Sequence, residues 1–345
     1  MIFNTPSFKE GVNFLSLLKF FYNFEVIYSS KRFAEGDVLI FLIILLVALV
    51  LFTAVVLYFF SIAFVKHNMG NVDDVEAEIN KPLWKYKDEI KAGLDYINSR
   101  PFEWVETVSF DGLKLAARYF DNKSEKTVIL FHGYRSSAAR DFSCAVEMYT
   151  KFGFNILLCD QRSHGRSEGR LITFGVKESR DVLSWIEFAE NKYEPEKIIL
   201  GGMSMGATTV LLACGYPLPD TVRGVVADCG FPSPVDIIKK VAKQSFKINA
   251  SVFIPFLNLC CKLFGKFSIT ETNTVDSLKK SKIPVLLIHG ANDGFVPCEM
   301  SQKAYESTGE NGHLVLIDGA NHGMSYLTDK TKVETEIKIF FKKCV

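Results

Sequence analysis

The longest apolar run of the chain lies near its N-terminus. From Val38 to Val65 there are 28 consecutive residues without a charged side chain. A helix of that length reaches roughly 40 Å at about 1.5 Å per residue, which exceeds the ~30 Å hydrocarbon core of a bilayer. The run therefore predicts a transmembrane helix over 38–65.

A cleaved signal peptide is the main alternative for this run, because the Ser-Ile-Ala sequence at 61–63 has the form of a cleavage site. The apolar core of a signal peptide has about 7–15 residues, so we prefer an uncleaved anchor. Lys31 and Arg32 precede the run, and Lys66 follows it. The excess of positive charge before the run favours a cytoplasmic N-terminus and an extracytoplasmic C-terminal part.

The hydrophobic pattern changes at Phe102. The stretches "EWVETVSFDG" and "LKLAARYF" alternate apolar and polar residues around Asp111-Gly112, which predicts a β-hairpin. Six short apolar runs follow, with helical patterns between most of them. They are Thr127–Gly133, Phe154–Asp160, Lys197–Ser204, Val222–Gly230, Ile283–Gly290 and His313–His322. This order predicts an α/β fold, with a mostly parallel eight-stranded sheet and helices on both faces.

The other segments complete the predicted organisation. Residues 1–37 form an N-terminal tail, residues 66–100 a stalk or packing helix, and residues 101–345 the α/β domain. The interval from about 231 to 282 has no clear strand, which predicts a helical cap insert over the carboxyl edge of the sheet. Its apolar run Val252–Phe264 either lines a substrate pocket or only packs on the body.

Charge and cysteine usage exclude some classes of function. The formal net charge is +1, which gives no electrostatic case for a nucleic-acid partner. The eight cysteines are scattered and have no spacing typical of a metal site, so we interpret them as reduced core residues. The oligomeric state is not indicated by the sequence.

One serine has the surroundings of a catalytic nucleophile. Gly202-Met203-Ser204-Met205-Gly206 fits the pattern G-x-S-x-G, follows the apolar run "KIIL" and opens the helical pattern "GATTVLLAC". A nucleophile elbow requires this strand–turn–helix setting. An ordinary glycine-rich turn that holds a phosphate is the alternative, although the lysine of a P-loop is missing.

An activated serine also needs a base and an acid. His322 follows the last predicted strand in "IDGANHG" and is the best base among six histidines. Asp293, after the penultimate strand, is the preferred acid because the order Ser…Asp…His is then satisfied. Asp228, at the end of the preceding strand, is the rival acid.

Acyl transfer further requires two N–H donors for the developing oxyanion. The backbone N–H of Met205, directly after the serine, is one candidate. The backbone N–H of Tyr134, in the loop "FHGYRSS", is the other. For His132 in the same loop, a structural hydrogen bond is preferred over a role in proton transfer.

Together these motifs resemble the α/β-hydrolase superfamily from about Phe102 to the C-terminus. The matching pieces, in order, are "HGYRSS", "GMSMG", "HGANDGFVP" and "GANHG". The subfamily resembles bacterial membrane-anchored serine hydrolases of the carboxylesterase or acyl-peptidase-like kind. The loop "DQRSHGRSEG" is similar to a strand-four loop of such enzymes, which implies a scaffold role for Asp160, Arg162, His164 and Gly165.

The resemblance implies hydrolysis through an acyl-enzyme, with no metal and no organic cofactor. The first expectation is therefore a membrane-anchored serine esterase that acts on a small or lipid-like acyl ester. An acyltransferase, a thioesterase or a peptidase that uses the same residues on membrane or cell-envelope substrates is the alternative. A membrane-tethered binding module without catalysis is a third hypothesis.

Overall fold

The computed structural model describes residues 35–67 and 82–344. The chain divides into two compact units, Met1–Phe59 and Phe60–Val345. Most of the predicted tail, and residues 68–81 of the predicted stalk, lie outside the described residues.

The described part of the first unit belongs to helix α1, Glu35–Phe64, whose last turn lies in the second unit. Its bounds agree closely with the predicted 38–65. Within the described ranges, α1 is the one helix long and apolar enough to cross a membrane. A signal sequence near an N-terminus can pass the same test of length and composition, so this test alone does not establish a membrane anchor.

The second unit is built on a single eight-stranded sheet with the order β1-β2-β4-β3-β5-β6-β7-β8. Its strands are β1 Glu103–Val108, β2 Lys114–Phe120, β3 Lys126–Phe131, β4 Asn155–Cys159, β5 Lys197–Met203, β6 Val222–Asp228, β7 Val285–Gly290 and β8 Gly312–Ile317. Pairing is antiparallel for β1–β2 and β2–β4 and parallel for all other neighbours. The predicted eight-stranded, mostly parallel sheet is confirmed.

Helices connect the strands and cover the sheet. After α1 they are α2 Lys87–Ser99, α3 Ala138–Asp141, α4 Ser143–Lys151, α5 Glu178–Tyr193, α6 Met205–Ala213, α7 Pro234–Ser245, α8 Ile254–Gly265, α9 Thr274–Lys280, α10 Glu299–Tyr305, α11 Ser325–Thr328 and α12 Lys330–Cys344. Short 3₁₀ turns occupy Pro82–Tyr86, Ala250–Val252 and Gly309–Asn311.

Alternation along the buried strands produces two cores, one on each face of the sheet. In β3, Val128 and Leu130 belong to one core, whereas Ile129 and Phe131 belong to the other. Helices α2, α4 and α12 pack on the first face, and α5 and α6 pack on the second. Helix α2 lies within the predicted stalk or packing segment, 66–100, and its residues Ile90, Leu94 and Ile97 are buried.

The parallel register aligns the carboxyl ends of the central strands. Met203 of β5 pairs with Asp228 of β6, Asp228 pairs with Ile288 of β7, and Gly290 of β7 pairs with Ile317 of β8. The loops after these strands therefore emerge at one edge of the sheet. Helices α7, α8 and α9, with the 3₁₀ turn between α7 and α8, occupy the interval between β6 and β7, where a helical cap insert was expected.

Candidate active site

The turn between β5 and α6 presents Ser204 in an unusual backbone conformation. Ser204 has φ 53° and ψ −113°, a region that non-glycine residues rarely adopt. Its N–H donates to the carbonyl oxygen of Asp228 at 2.8 Å, which fixes the turn to the neighbouring strand. The strain is therefore held in place by the surrounding sheet.

Two glycines make this turn possible. A Cβ at Gly202 would lie 2.2 Å from the carbonyl oxygen of Gly206, and a Cβ at Gly206 would lie 1.8 Å from that of Phe131. Real Cβ atoms do not approach backbone so closely, so neither position accepts a side chain without rearrangement. These contacts explain why glycine occupies both outer positions of the G-x-S-x-G pattern.

Ser204, His322 and Asp293 lie in one chain of hydrogen bonds. The Oγ of Ser204 is 2.9 Å from Nε2 of His322, and Nδ1 of His322 is 2.6 Å from Oδ2 of Asp293. A carboxylate only accepts, so the ring proton lies on Nδ1 and donates to Asp293. Nε2 is then free to accept the hydroxyl proton of Ser204.

Asp293 is held by four donors. Its Oδ1 accepts the backbone N–H groups of Phe295 and Val296, at 2.9 and 2.8 Å. Its Oδ2 lies near both His322 and Nε2 of His289, the latter at 3.2 Å. Burial opposes ionisation, but the hydrogen bonds from the two histidines outweigh it and lower the pKa of Asp293 to about 2. The carboxylate is therefore charged at neutral pH.

His289 was not predicted to take part in the site. Its Nε2 faces the carbonyl oxygen of Val296 at 2.8 Å as well as Asp293, and its Nδ1 is 2.6 Å from Oγ of Ser301. Both neighbours of Nε2 are acceptors, so Nε2 carries the proton. Burial lowers the pKa of His289, but the bond to Asp293 more than compensates and the net shift is upward. The four-residue spacing to Asp293 is a signal that could have identified it.

The rival acid, Asp228, makes a different contact. Its Oδ1 accepts a hydrogen bond from Oγ of Ser325 at 2.9 Å, whereas the carboxylate on His322 is that of Asp293. Burial raises the pKa of Asp228 to about 6. Asp228 thus lies behind the serine turn and contacts it through its backbone carbonyl.

One set of side chains near the site has the composition of a metal site. Ligand atoms of Cys229, Asp293 and His322 lie within 4.8 Å of one another. Burial raises the pKa of the Cys229 thiol well above its usual range, and both nitrogens of His322 are engaged. Metal ligation requires a thiolate and a free imidazole nitrogen, so these residues do not fit a metal ion.

The loop after β3 lies directly beside the serine. A Cβ at Gly133 would lie 3.4 Å from Cβ of Ser204, and the Gly133 N–H donates to Oδ2 of Asp141 at 2.6 Å. Among the hydrogen bonds of the described residues, none uses the backbone N–H of Tyr134 or Met205. Asp141, which sequence reasoning missed, holds the loop from eight residues away.

The end of α1 contacts the same loop. The Tyr134 hydroxyl donates to the carbonyl oxygen of Ala63 at 2.9 Å, and Nη2 of Arg135 donates to that of Ile62 at 2.6 Å. A cation at a helix C-terminus is favourable, because the last carbonyl groups have no partner within the helix. Burial raises the pKa of Tyr134 to about 12, so its hydroxyl remains a donor.

The loop after β4 forms hydrogen bonds with the loop after β3. Nε2 of His164 accepts the N–H of Arg135 at 3.0 Å, and Nε2 of His132 accepts the N–H of Gln161 at 3.1 Å. Arg162 donates to Asp181 through Nε and Nη2, and Asp160 accepts the N–H of Arg166 at 3.0 Å. These contacts are those expected of a scaffold.

Comparison with known protein families agrees with the fold. The family model described as "Serine aminopeptidase, S33" matches residues 122–259, and the one described as "TAP-like protein" matches residues 254–344. Together with the eight-stranded sheet and its cap, the matches make this chain a member of the α/β-hydrolase superfamily. The matching families and the esterases among the similar proteins support a hydrolase.

Individual relatives match more than half of the chain. The chain is 25% identical to the uncharacterized protein YqkD of Bacillus subtilis over 215 residues, which cover 62% of this chain and 70% of YqkD. It is 21% identical to the bifunctional esterase/perhydrolase DCH of Acinetobacter calcoaceticus, with coverage of 67% and 97%. The solved structure of the Pyrococcus furiosus esterase Pf2001 has a TM-score of 0.58 and 26% identity, and the match covers 72% of this chain and 95% of that one.

Proposed function

We propose that this protein is a serine hydrolase that cleaves carboxylic esters through an acyl-enzyme. The observation that carries the proposal is the unbroken chain of hydrogen bonds from Oγ of Ser204 through His322 to Asp293. Nucleophilic catalysis by serine needs a base within hydrogen-bond distance and a group that orients the base. The esterases among the relatives support an ester as substrate.

In the first half of the reaction, Oγ of Ser204 attacks the ester carbonyl carbon while Nε2 of His322 takes the hydroxyl proton. Asp293 keeps the ring oriented and stabilises the imidazolium. The carbonyl oxygen becomes an oxyanion, which accepts from the N–H groups of Tyr134 and Met205. The bond to the alcohol then breaks, and His322 gives its proton to the leaving oxygen.

In the second half, water attacks the acyl carbon of the ester on Ser204. His322 takes a proton from that water, and the same two N–H groups hold the second oxyanion. The bond to Oγ breaks, the carboxylic acid leaves, and the proton on His322 returns to Ser204. The start of α6 behind the serine favours the negative charge at both stages.

The proposal includes a membrane location. Helix α1 is taken as an uncleaved anchor because its apolar length exceeds that of a signal peptide core. Lys31 and Arg32 precede α1 and Lys66 follows it, so the second unit is proposed to lie outside the cytoplasm.

A fluorophosphonate probe tests the nucleophile. The full chain in detergent should be labelled at Ser204 and should cleave p-nitrophenyl butyrate, whereas Ser204→Ala should lose both properties. The loss in kcat should be at least about 10³-fold, since removal of the nucleophile leaves only the oxyanion site and binding. Equal labelling of the Ser204→Ala variant would contradict the proposal.

Amide substrates provide the second arm of the test, because one matching family is described as an aminopeptidase. Aminoacyl p-nitroanilides should be cleaved with a kcat/KM well below that of the ester. A higher kcat/KM on the anilides would replace the esterase assignment by a peptidase that uses the same residues.

A further inference from the structure

Helix α8 of the cap is apolar on two opposite sides. Ile254, Leu257 and Cys261 are buried against the body. On the other side Phe256, Leu259 and Leu263 are 43%, 52% and 67% exposed. Val252, just before the helix, and Phe264, near its end, are exposed as well. We call these five exposed residues, Val252, Phe256, Leu259, Leu263 and Phe264, the cap surface.

Four of the five residues of the cap surface, all except Phe264, have the spacing of a single helical stripe. Positions 252, 256, 259 and 263 are separated by four, three and four residues, so their side chains lie one above the other. A helix that is apolar on both sides is normally buried. A contiguous apolar patch that is exposed to solvent marks an interaction site. Twelve residues reach only about 18 Å, which is too short to span a bilayer. The geometry suits a helix that lies flat in an interface.

The surroundings of the cap surface are basic. Between Pro234 and Phe267 there are six lysines and one acidic residue, although the whole chain has a net charge of only +1. Lys262 is exposed and lies beside the stripe, and Lys239 and Lys243 are exposed on α7. Exposed apolar residues next to lysines are typical of helices that bind an anionic lipid surface.

Aromatic contacts place the cap surface next to the end of α1. The ring of Phe60, in the last turn of α1, is 5.6 Å from that of Phe264, and the ring of Phe64 is 6.0 Å from that of Phe267. If α1 is the anchor proposed above, its last turn lies at the bilayer interface. A residue that packs on Phe60 must lie at the same interface.

We propose that the cap surface docks on the anionic leaflet at which α1 ends, with α8 parallel to the membrane plane. This inference rests on the proposed anchoring by α1. The apolar side chains enter the headgroup region, and the lysines contact lipid phosphates. The cap and the loop that holds Tyr134 then both lie at the membrane surface, because Tyr134 also binds the end of α1.

Brominated lipids test the contact directly. Leu263→Trp in the full chain is compared with Ile339→Trp, a matched change at an exposed apolar residue of α12. Both proteins are reconstituted into vesicles of dibrominated phosphatidylcholine and phosphatidylglycerol. The emission added by the tryptophan at 263 should be largely quenched, whereas that added at 339 should not. Both variants should keep wild-type activity on p-nitrophenyl butyrate, which shows that they are folded.

Flotation of the vesicles separates the two proposals. Protein that floats with the vesicles but is not quenched at 263 overturns docking and leaves the anchor intact. Protein that does not float overturns the anchor and docking together. Blue-shifted but unquenched emission means that protein covers position 263, from a second copy or from the N-terminal residues of this chain, and also overturns docking.

The lipid charge is tested by a triple variant, Lys239→Gln, Lys243→Gln and Lys262→Gln, in the Leu263→Trp background. Quenching should be weaker in vesicles of phosphatidylcholine alone, and the triple variant should lose the difference between the two lipid mixtures. Quenching that is equally strong in neutral vesicles and in the triple variant would contradict an anionic surface as the partner.

Discussion

Two regions of the molecule differ in the interactions on which they depend. One is the edge of the sheet where Ser204 lies, and the other is the cap surface on α8. At the sheet edge the polar atoms have partners at defined distances, such as 2.6 Å between His322 and Asp293. On the cap surface apolar side chains are exposed. Their spacing along the helix, rather than any one interatomic distance, makes the surface continuous and apolar. The chemistry of the first region therefore depends on single atoms, and the binding of the second depends on area and charge.

This difference has a consequence for how each region tolerates change. A carboxylate that fixes an imidazole cannot be replaced by a group of similar size without changing the protonation of the ring. Burial of apolar area, in contrast, is roughly additive and non-directional. We therefore expect large losses from minimal substitutions at the sheet edge and small losses on a soluble ester from substitutions on the cap surface.

The largest effect in this comparison is expected for Asp293→Asn. An amide in place of the carboxylate favours the wrong tautomer of His322 and removes the charge that stabilises the imidazolium. We expect kcat on p-nitrophenyl butyrate to fall by about 10³–10⁴-fold. The matched control is Asp228→Asn, which should lower kcat by less than about 10-fold because Asp228 bonds to Ser325. Equal losses in the two variants would mean that either carboxylate can serve as the acid.

An intermediate effect is expected for His289→Gln. His289 does not touch Ser204, but its Nε2 lies 3.2 Å from Oδ2 of Asp293, so it positions the acid. We expect kcat to fall by roughly 10-fold, as for other partners one step removed from a reacting group, with KM unchanged. A change in KM alone, or a loss equal to that of Ser301→Ala, would indicate a structural role only.

Much of the sheet edge could be predicted from the sequence, for a local reason. Ser204, Asp293 and His322 each follow a short apolar strand, and parallel strands bring their carboxyl ends to one edge. Their order along the chain then restricted the choice of base and acid. The role of Asp141 was not predicted. Its hydrogen bond to the N–H of Gly133 depends on the path of the loop between them, and no hydrophobic periodicity encodes that path.

The contacts of the cap surface and of the α1 end could not be predicted in the same way. The apolar run Val252–Phe264 left open whether it lines a pocket or packs on the body, because exposure depends on which side the body covers. Tyr134 and Ala63 are 71 residues apart, and nothing local in either segment indicates their hydrogen bond. Tertiary packing decides both features.

The smallest effect is a pH-dependent change in stability at Asp228, and it distinguishes the two carboxylates of the sheet edge. Burial raises the pKa of Asp228 to about 6, compared with about 3.9 in an unfolded chain. The folded state therefore binds this proton more tightly, and the stability that the protonated group provides below pH 4 is lost as the pH rises through 6. Asp293 has the opposite shift, to about 2, and its contribution is lost only as the pH falls below about 4.

The Asp228→Asn variant should remove the pH-dependent contribution of Asp228 to stability. The amide oxygen of the asparagine can still accept a hydrogen bond from Ser325, but the amide side chain does not ionise. We expect its free energy of unfolding at pH 7 to exceed that of the wild type by about 1–3 kcal/mol, from 1.36 kcal/mol per pKa unit. The difference should shrink towards zero at pH 4, where Asp228 is protonated in the folded wild type, so that measurement is the internal control. Thermal unfolding at pH 4, 5, 6 and 7 checks the trend. A difference that stays constant over this range would show that Asp228 acts through packing and not through its proton.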